Sequence, residues 1–187
     1  QTNSPNVSNT GFYIRKFISE ASGYTLRNYA ENWWPWFRLG EIYLNAAEAA
    51  FELNDEPTAL PYINRLRQRA GFPANSLTSL TIEKIQNERR VELAFEDHRY
   101  FDMKRWRIAD ITWNGNIDND KAIVYGLYPY RIAVAKPGTQ DQDKYIFVKT
   151  RSERFKVART FQQSNYYSFI ADDVINNNPT IVKNPFQ

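Results

Sequence analysis

Apolar residues recur at helical spacing through the first half of the chain, and β-branched and aromatic residues cluster only in the second. After Asn32-Trp33-Trp34-Pro35-Trp36, positions Leu39, Tyr43, Ala46, Ala47, Ala50 and Leu53 form the stripe of an amphipathic helix. Proline suits the first turn of a helix and disfavours its interior, so Pro35 predicts the start, with Trp36 inside. Asn54-Asp55 predicts the end. The alanines leave room for a close neighbour, so packing on more than one side is expected. Pro57 restarts the chain, and Leu60, Ile63, Leu66 and Ala70 predict a second helix. Arg65, Arg67 and Arg69 gather near its C-terminus, where cations complement the helix dipole, and Gly71 followed by Pro73 marks the stop. These two helices form an antiparallel hairpin with a short turn.

Ser79 or Thr81 can cap a third helix running to about Phe95, and a fourth covers His98 to Asp110 until Asn114-Gly115-Asn116 breaks it. Ala122 to Leu127, Arg131 to Ala135 and Tyr145 to Val148 then read as strands. The last two flank Pro137-Gly138-Thr139-Gln140-Asp141-Gln142-Asp143, which predicts a hairpin with a long loop. The tail, with Asn178-Pro179 and Asn184-Pro185, is extended and turn-rich. Residues 1–32 form an extended leading segment with at most one strand and a short apolar burst, Phe12-Tyr13-Ile14 and Phe17-Ile18. The predicted fold is mainly α, with tetratricopeptide-like helical hairpins, then a short β hairpin and an irregular tail. Trp36-x-x-Leu39-Gly40-x-x-Tyr43 fits the opening of a tetratricopeptide repeat, but Glu52 falls where that repeat needs a small residue. A single such hairpin cannot bury its apolar face, so the end of a longer helical array is expected.

Composition narrows the function. A length of 187 residues allows one domain with a sizeable core, which buries roughly 70% of the unfolded surface. No cysteine is present, which removes disulfides, thiol nucleophiles and zinc ribbons. The net charge of +3 is dispersed, and between Thr81 and Arg107 seven Lys/Arg face six Asp/Glu. That is an ion-paired helical pattern, so nucleic acid is not an expected partner. No apolar run is long enough to span a bilayer.

Catalytic chemistry finds little footing. Glu88, Glu92 and Glu96 share a helical face, but His98 is the chain's one histidine and its spacing is wrong for a carboxylate-bridged metal site. The expected role of these carboxylates is an ion-pair network reaching Arg99 and Arg105, and that of His98 is a hydrogen bond at a helix junction. A glycoside-active enzyme needs two carboxylates about 5–9 Å apart, a spacing any acidic helix supplies. Nucleophile elbows and phosphate-binding glycine loops are missing. Aromatic residues make up 16% of the chain, including five tryptophans. Indole faces pack against sugar C–H bonds or peptide side chains, which makes Trp33, Trp34 and Trp113 the candidate ligand-binding residues. Core or interface packing is the preferred reading for each, and most strongly for Trp36 and Trp106.

Several blocks resemble the SusD/RagB family of starch-utilisation-type outer-membrane binding lipoproteins. Phe37-Arg38-Leu39-Gly40-Glu41-Ile42-Tyr43-Leu44-Asn45-Ala46-Ala47-Glu48-Ala49 is similar to that family's R-L-A-E-x-Y-L-x-x-A-E-A helix. Ile63 to Gly71 is similar to its I-N-x-V-R-x-R-A-G segment. Glu88-Arg89-Arg90-x-Glu92-Leu93-Ala94-Phe95-Glu96 and Arg99 to Trp106 resemble its most distinctive block, and the two Asn-Pro pairs resemble its ending. Asp97 stands where the family commonly has glycine, and Lys183-Asn184-Pro185-Phe186-Gln187 replaces the usual Q-N-P-G-Y.

The resemblance implies a family-like C-terminal domain over residues 33–187 of a longer protein. It implies non-catalytic capture of oligosaccharides, or in some members peptides, at the cell surface of the outer membrane. Delivery to a TonB-dependent transporter follows from it, as does a lipid anchor that this sequence does not contain. It names no cofactor and no metal. Glu88, Arg89, Glu92, Arg99, Asp102 and Trp106 read as its structural signature. The classes left beside it are the glycoside-active enzyme and a helical-repeat interaction scaffold.

Overall fold

The structure, a computed structural model, describes residues 8, 12–19, 32–113, 125–133, 137–151, 158–178 and 180–186. Two compact units divide the chain: residues 16–102, and residues 1–15 together with 103–187. The architecture is mainly α with one small antiparallel sheet.

In the first unit, α1 (Leu39–Glu52) and α2 (Glu56–Arg69) form the predicted hairpin, and α1 also packs on α3 (Ile82–Glu92). Packing of α1 on two sides is therefore observed. Its start is corrected: Arg38 is the extended residue before the helix, so Trp36 lies outside it and is 84% exposed. The buried row is Gly40, Leu44 and Ala47; of the predicted stripe, Ala47 is thus buried and Tyr43 and Ala50 pack partly covered against the core, as does Phe51. Leu39 and Leu53 stay exposed. Ten of the fourteen residues of α1 are apolar or small, so helical spacing alone does not choose the face.

Asp55 starts α2 by accepting a 3.1 Å hydrogen bond from the Thr58 amide, a cap that satisfies one of the helix's free donors. The predicted stop is observed. Gly71 takes φ +96, its amide donates to Gln68 O, and the Phe72 amide donates to Arg67 O. Ala59, Ile63 and Leu66 join Leu44, Ala47, Leu80, Ile85 and Leu93 in one core, while Ala70 is exposed. Buried Asn64 clamps the following loop through two 2.9 Å hydrogen bonds with the backbone of Leu77. Thr81, not Ser79, caps α3.

Helix α3 ends at Glu92, three residues short of the predicted Phe95. Phe95 and Asp97 both take left-handed backbone angles, φ +65 and +61, which break the helix before α4 (His98–Arg105). The fourth helix is likewise shorter than predicted. Arg107 at φ +56 turns the chain, leaving half-buried Trp106 outside α4 and a separate short α5 (Ala109–Thr112). The predicted break at Asn114-Gly115-Asn116 lies outside the described residues.

In the second unit, β1 (Tyr125–Arg131) pairs antiparallel with β2 (Tyr145–Arg151), in a register that sets Tyr125 opposite Arg151 and Arg131 opposite Tyr145. The hairpin thus joins the first and third predicted strands. Ile132 and Ala133 are not strand, and residues 134–135 lie outside the described residues, as do 122–124. The tail carries a 3-10 turn (Gln163–Tyr166) and α6 (Asp172–Asn177), which the reading of an irregular tail omitted. Phe12, Tyr13 and Ile14 form no strand. Among the described residues, no helix is long and apolar enough to cross a membrane.

Candidate binding cleft

Arg38 organises the first unit. Its position just before α1 points the guanidinium at the end of α3 and the following turn. There Nε donates to Glu96 Oε2 at 2.7 Å, Nη1 to Glu92 Oε1 at 2.6 Å, and Nη2 to Glu96 Oε1 at 2.9 Å and Glu92 O at 2.8 Å. Gly40 makes room for this: a Cβ there would collide with Arg38 Nη1 and lie 3.0 Å from Glu92 Oε1. Arg69 Nη2 grips both oxygens of Glu92 from α2, at 2.6 and 2.7 Å. Lys16 Nζ donates to Glu96 Oε1 at 2.5 Å, Ala94 O at 2.8 Å and Glu92 O at 3.1 Å.

The signature carboxylates therefore pair with earlier elements, not with Arg99 and Arg105. Glu88 joins Arg67 of α2 at 2.9 Å. Contact with α4 runs instead through Arg89, which donates to Asp102 and to Asn45 of α1. Burial lowers the pKa of Arg99, with neighbouring Arg90 adding to the effect and Asp102 opposing it. His98 opens α4 with Nε2 3.6 Å from Glu41 Oε2, a buried oxygen with no hydrogen-bond partner among the described residues. That spacing is an ion-pair distance rather than the expected hydrogen bond.

A cleft of about 410 Å³ opens over this network, lined by Lys16, Phe17, Pro35, Arg38, Val91 and Glu96 among others. Its floor is charged and its walls are apolar. Phe17 forms one wall, and Trp34 packs on it with ring centroids 5.0 Å apart. Of the candidate tryptophans, Trp34 is thus adjacent to the cleft lining, and Trp33 is 91% exposed. The sequence marks none of Lys16, Phe17, Arg38 and Arg69 as a site residue: Arg69 reads as a helix-end cation and Arg38 as part of the family-like block. Lys16 and Phe17 lie in a stretch without periodicity, where spacing carries no information.

Trp113 belongs to the second unit and is half-buried. It meets Phe161 at 5.9 Å, and Phe161 meets Tyr166 edge-on at 4.8 Å. The Tyr166 hydroxyl donates to Asp110 Oδ1 at 2.6 Å, Gln163 donates to Oδ2 at 2.7 Å, and Arg107 lies over the rings of Tyr166 and Tyr167. The Tyr166 bond holds the Asp110 carboxyl below its usual range, while burial and Asp110 raise the Tyr166 phenol.

Glu96, in the floor of the cleft, is favoured in its ionised form. Burial works to raise the Glu96 carboxyl, but hydrogen bonds from Arg38 and Lys16 outweigh it and hold the group below its ordinary value. Glu96 in turn raises the Arg38 guanidinium against the opposing effect of burial. A glycosidase acid needs the opposite shift, a carboxyl raised so that it keeps its proton near neutrality. Among the described residues, no group of three or more His, Asp and Glu side chains is placed to hold a metal.

Comparison with known proteins identifies the family. The model of the SusD family matches residues 1–186. The chain belongs to the SusD family. Two similar proteins from Formosa agariphila are SusD-like protein P25, 43% identical over 79 residues and 38% of this chain, and SusD-like protein P2, 34% identical over 117 residues and 56% of it. The crystal structure of a SusD-like protein from Bacteroides fragilis superposes on 82% of the chain with a TM-score of 0.57 and 30% identity. The matches span only 15% and 23% of the two Formosa proteins and 26% of the Bacteroides chain. In this SusD-family chain, Glu88, Arg89, Glu92 and Asp102 knit α1, α2, α3 and α4 together.

Proposed function

We propose that the chain is part of a non-catalytic saccharide-binding protein. It holds oligosaccharides at the cell surface of the outer membrane, and a lipid anchor on the longer protein keeps it there. It passes its ligand to a TonB-dependent transporter. Membership of the SusD family supports this reading, and one observation carries it to this chain: the aromatic wall of Phe17, backed by Trp34, above a floor of mutually paired Arg, Lys and Glu. A sugar ring offers C–H faces to the first and hydroxyls to the second. Paired charges orient hydroxyls without supplying an acid.

The test is tryptophan-fluorescence titration of the chain with a panel of neutral and acidic hexasaccharides and of short peptides. The expected result is a saturable change with one glycan class, lost in Trp34→Ala and kept in Trp113→Ala. Saturation by peptides alone would replace the ligand class. Silence across the panel from a folded chain would remove the site from this part of the protein.

A further inference from the structure

We infer that Lys16 is the positioning residue of the cleft, an ammonium hook that holds Phe17 in place as its aromatic wall. The stretch 16–19, where the first unit begins, has no helix or strand to fix it. Its link to the core of the first unit is made by side chains instead. Lys16 Nζ reaches three oxygens at once, the carbonyls of Glu92 and Ala94 and the Glu96 carboxylate. The two carbonyls belong to the last residue of α3 and to the turn after it, where a helix leaves its last acceptors without internal partners and favours a cation.

The neighbouring residue bears the consequence. Phe17 takes φ +65, in the left-handed region that a bulky side chain rarely adopts, within the turn at Lys16-Phe17. Its ring meets Trp34, and Asn32 Nδ2 donates to its carbonyl at 2.5 Å. Neutralising Glu96 does not require Lys16, because Arg38 already makes two hydrogen bonds to that carboxylate. What Lys16 adds is attachment. Without it, the strained turn has no ammonium seated on α3 and the wall loses its fixed position.

The inference rests on the cleft being a binding site, but its test contains no saccharide and so stands apart from the glycan titration. The full chain is labelled with 5-fluorotryptophan, which gives one ¹⁹F resonance for each of its five tryptophans. Trp34→Phe assigns the Trp34 signal. In Lys16→Met, that signal is expected to move to the position it takes in Phe17→Ala while the other four hold. Lys16→Arg, which still reaches the same oxygens, is expected to return it toward the wild-type position. Lys16→Gln serves as a milder second variant with the same expectation as Lys16→Met. A Trp34 signal that stays in place in both neutral variants overturns the inference. Joint movement of all five signals, or unfolding of both variants, assigns Lys16 to overall stability and overturns it equally.

Discussion

Arg89 and Asp102 meet inside the first unit with both side chains 5% exposed, Arg89 Nε lying 2.8 Å from each carboxylate oxygen. The guanidinium also donates to Asn45 Oδ1 at 2.6 Å, so one arginine ties α3 to α4 and α1. Removing one member of such a pair leaves the other charged and buried, at a cost of about 3–5 kcal/mol. Asp102→Ala and Arg89→Met are each expected to lower stability by that order in urea denaturation. The double variant Arg89→Met/Asp102→Leu should lose clearly less than the two single losses combined. Strict additivity would show that the two side chains do not depend on each other.

Gly40→Ala sets two effects against each other. Alanine favours a helix over glycine by about 1 kcal/mol. The added Cβ meets Arg38 Nη1 and Glu92 Oε1, and moving them disturbs the paired floor of the cleft. Forcing extra volume into a packed site costs about 1–3 kcal/mol, so a net loss is expected. Thermal melts check the sign. A variant as stable as wild type would show that Arg38 relocates freely.

Much of the fold was legible because local signals agreed with tertiary packing. Gly71 ended α2 in a left-handed turn, and Thr81 capped α3 as its type and place suggested. The buried face of α1 was not legible. Leu39, Tyr43 and Ala46 form as good a row as Gly40, Leu44 and Ala47, and the choice between them is made by Arg38 and Glu92 crossing over Gly40. Charge pairing failed for the same reason. Glu88 and Glu92 had arginines near them in sequence, but the partners that reach them come from earlier in the chain, Arg67 and Arg69 from α2 and Arg38 from just before α1. The cleft was half legible: Trp34 stood out by type, whereas Lys16 and Phe17 act through a turn that no periodicity reveals.

Asp97 occupies the left-handed region at φ +61, a backbone conformation that suits glycine best. Aspartate tolerates that conformation better than most residues, but glycine adopts it without the Cβ penalty of about 1–2 kcal/mol. Asp97→Gly is therefore expected to stabilise the chain by up to about 1 kcal/mol, after the greater flexibility of glycine in the unfolded chain is subtracted. Asp97→Val should destabilise it. Urea midpoints of the two variants decide the matter, and equal effects of valine and glycine would refute the backbone argument.

Glu96 makes acid stability a reporter of the cleft floor. Its side chain is 5% exposed, and although burial pushes its carboxyl upward, Arg38 and Lys16 hold the native group below the ordinary glutamate value. An unfolded glutamate takes its proton at about pH 4.3. Above that value the carboxylate is ionised in both states and its pairing stabilises the fold. As pH falls through the lower native value the proton binds, the pairing is lost, and so is its contribution. Glu96→Gln has no such proton to bind. The stability gap between wild type and Glu96→Gln should therefore be widest near about pH 7 and narrow progressively toward about pH 3. Urea midpoints measured for both chains across that range give the gap directly. A gap that stays constant with pH would mean that Arg38 and Lys16 do not favour the ionised form, and the electrostatic account of the cleft floor would fail with it.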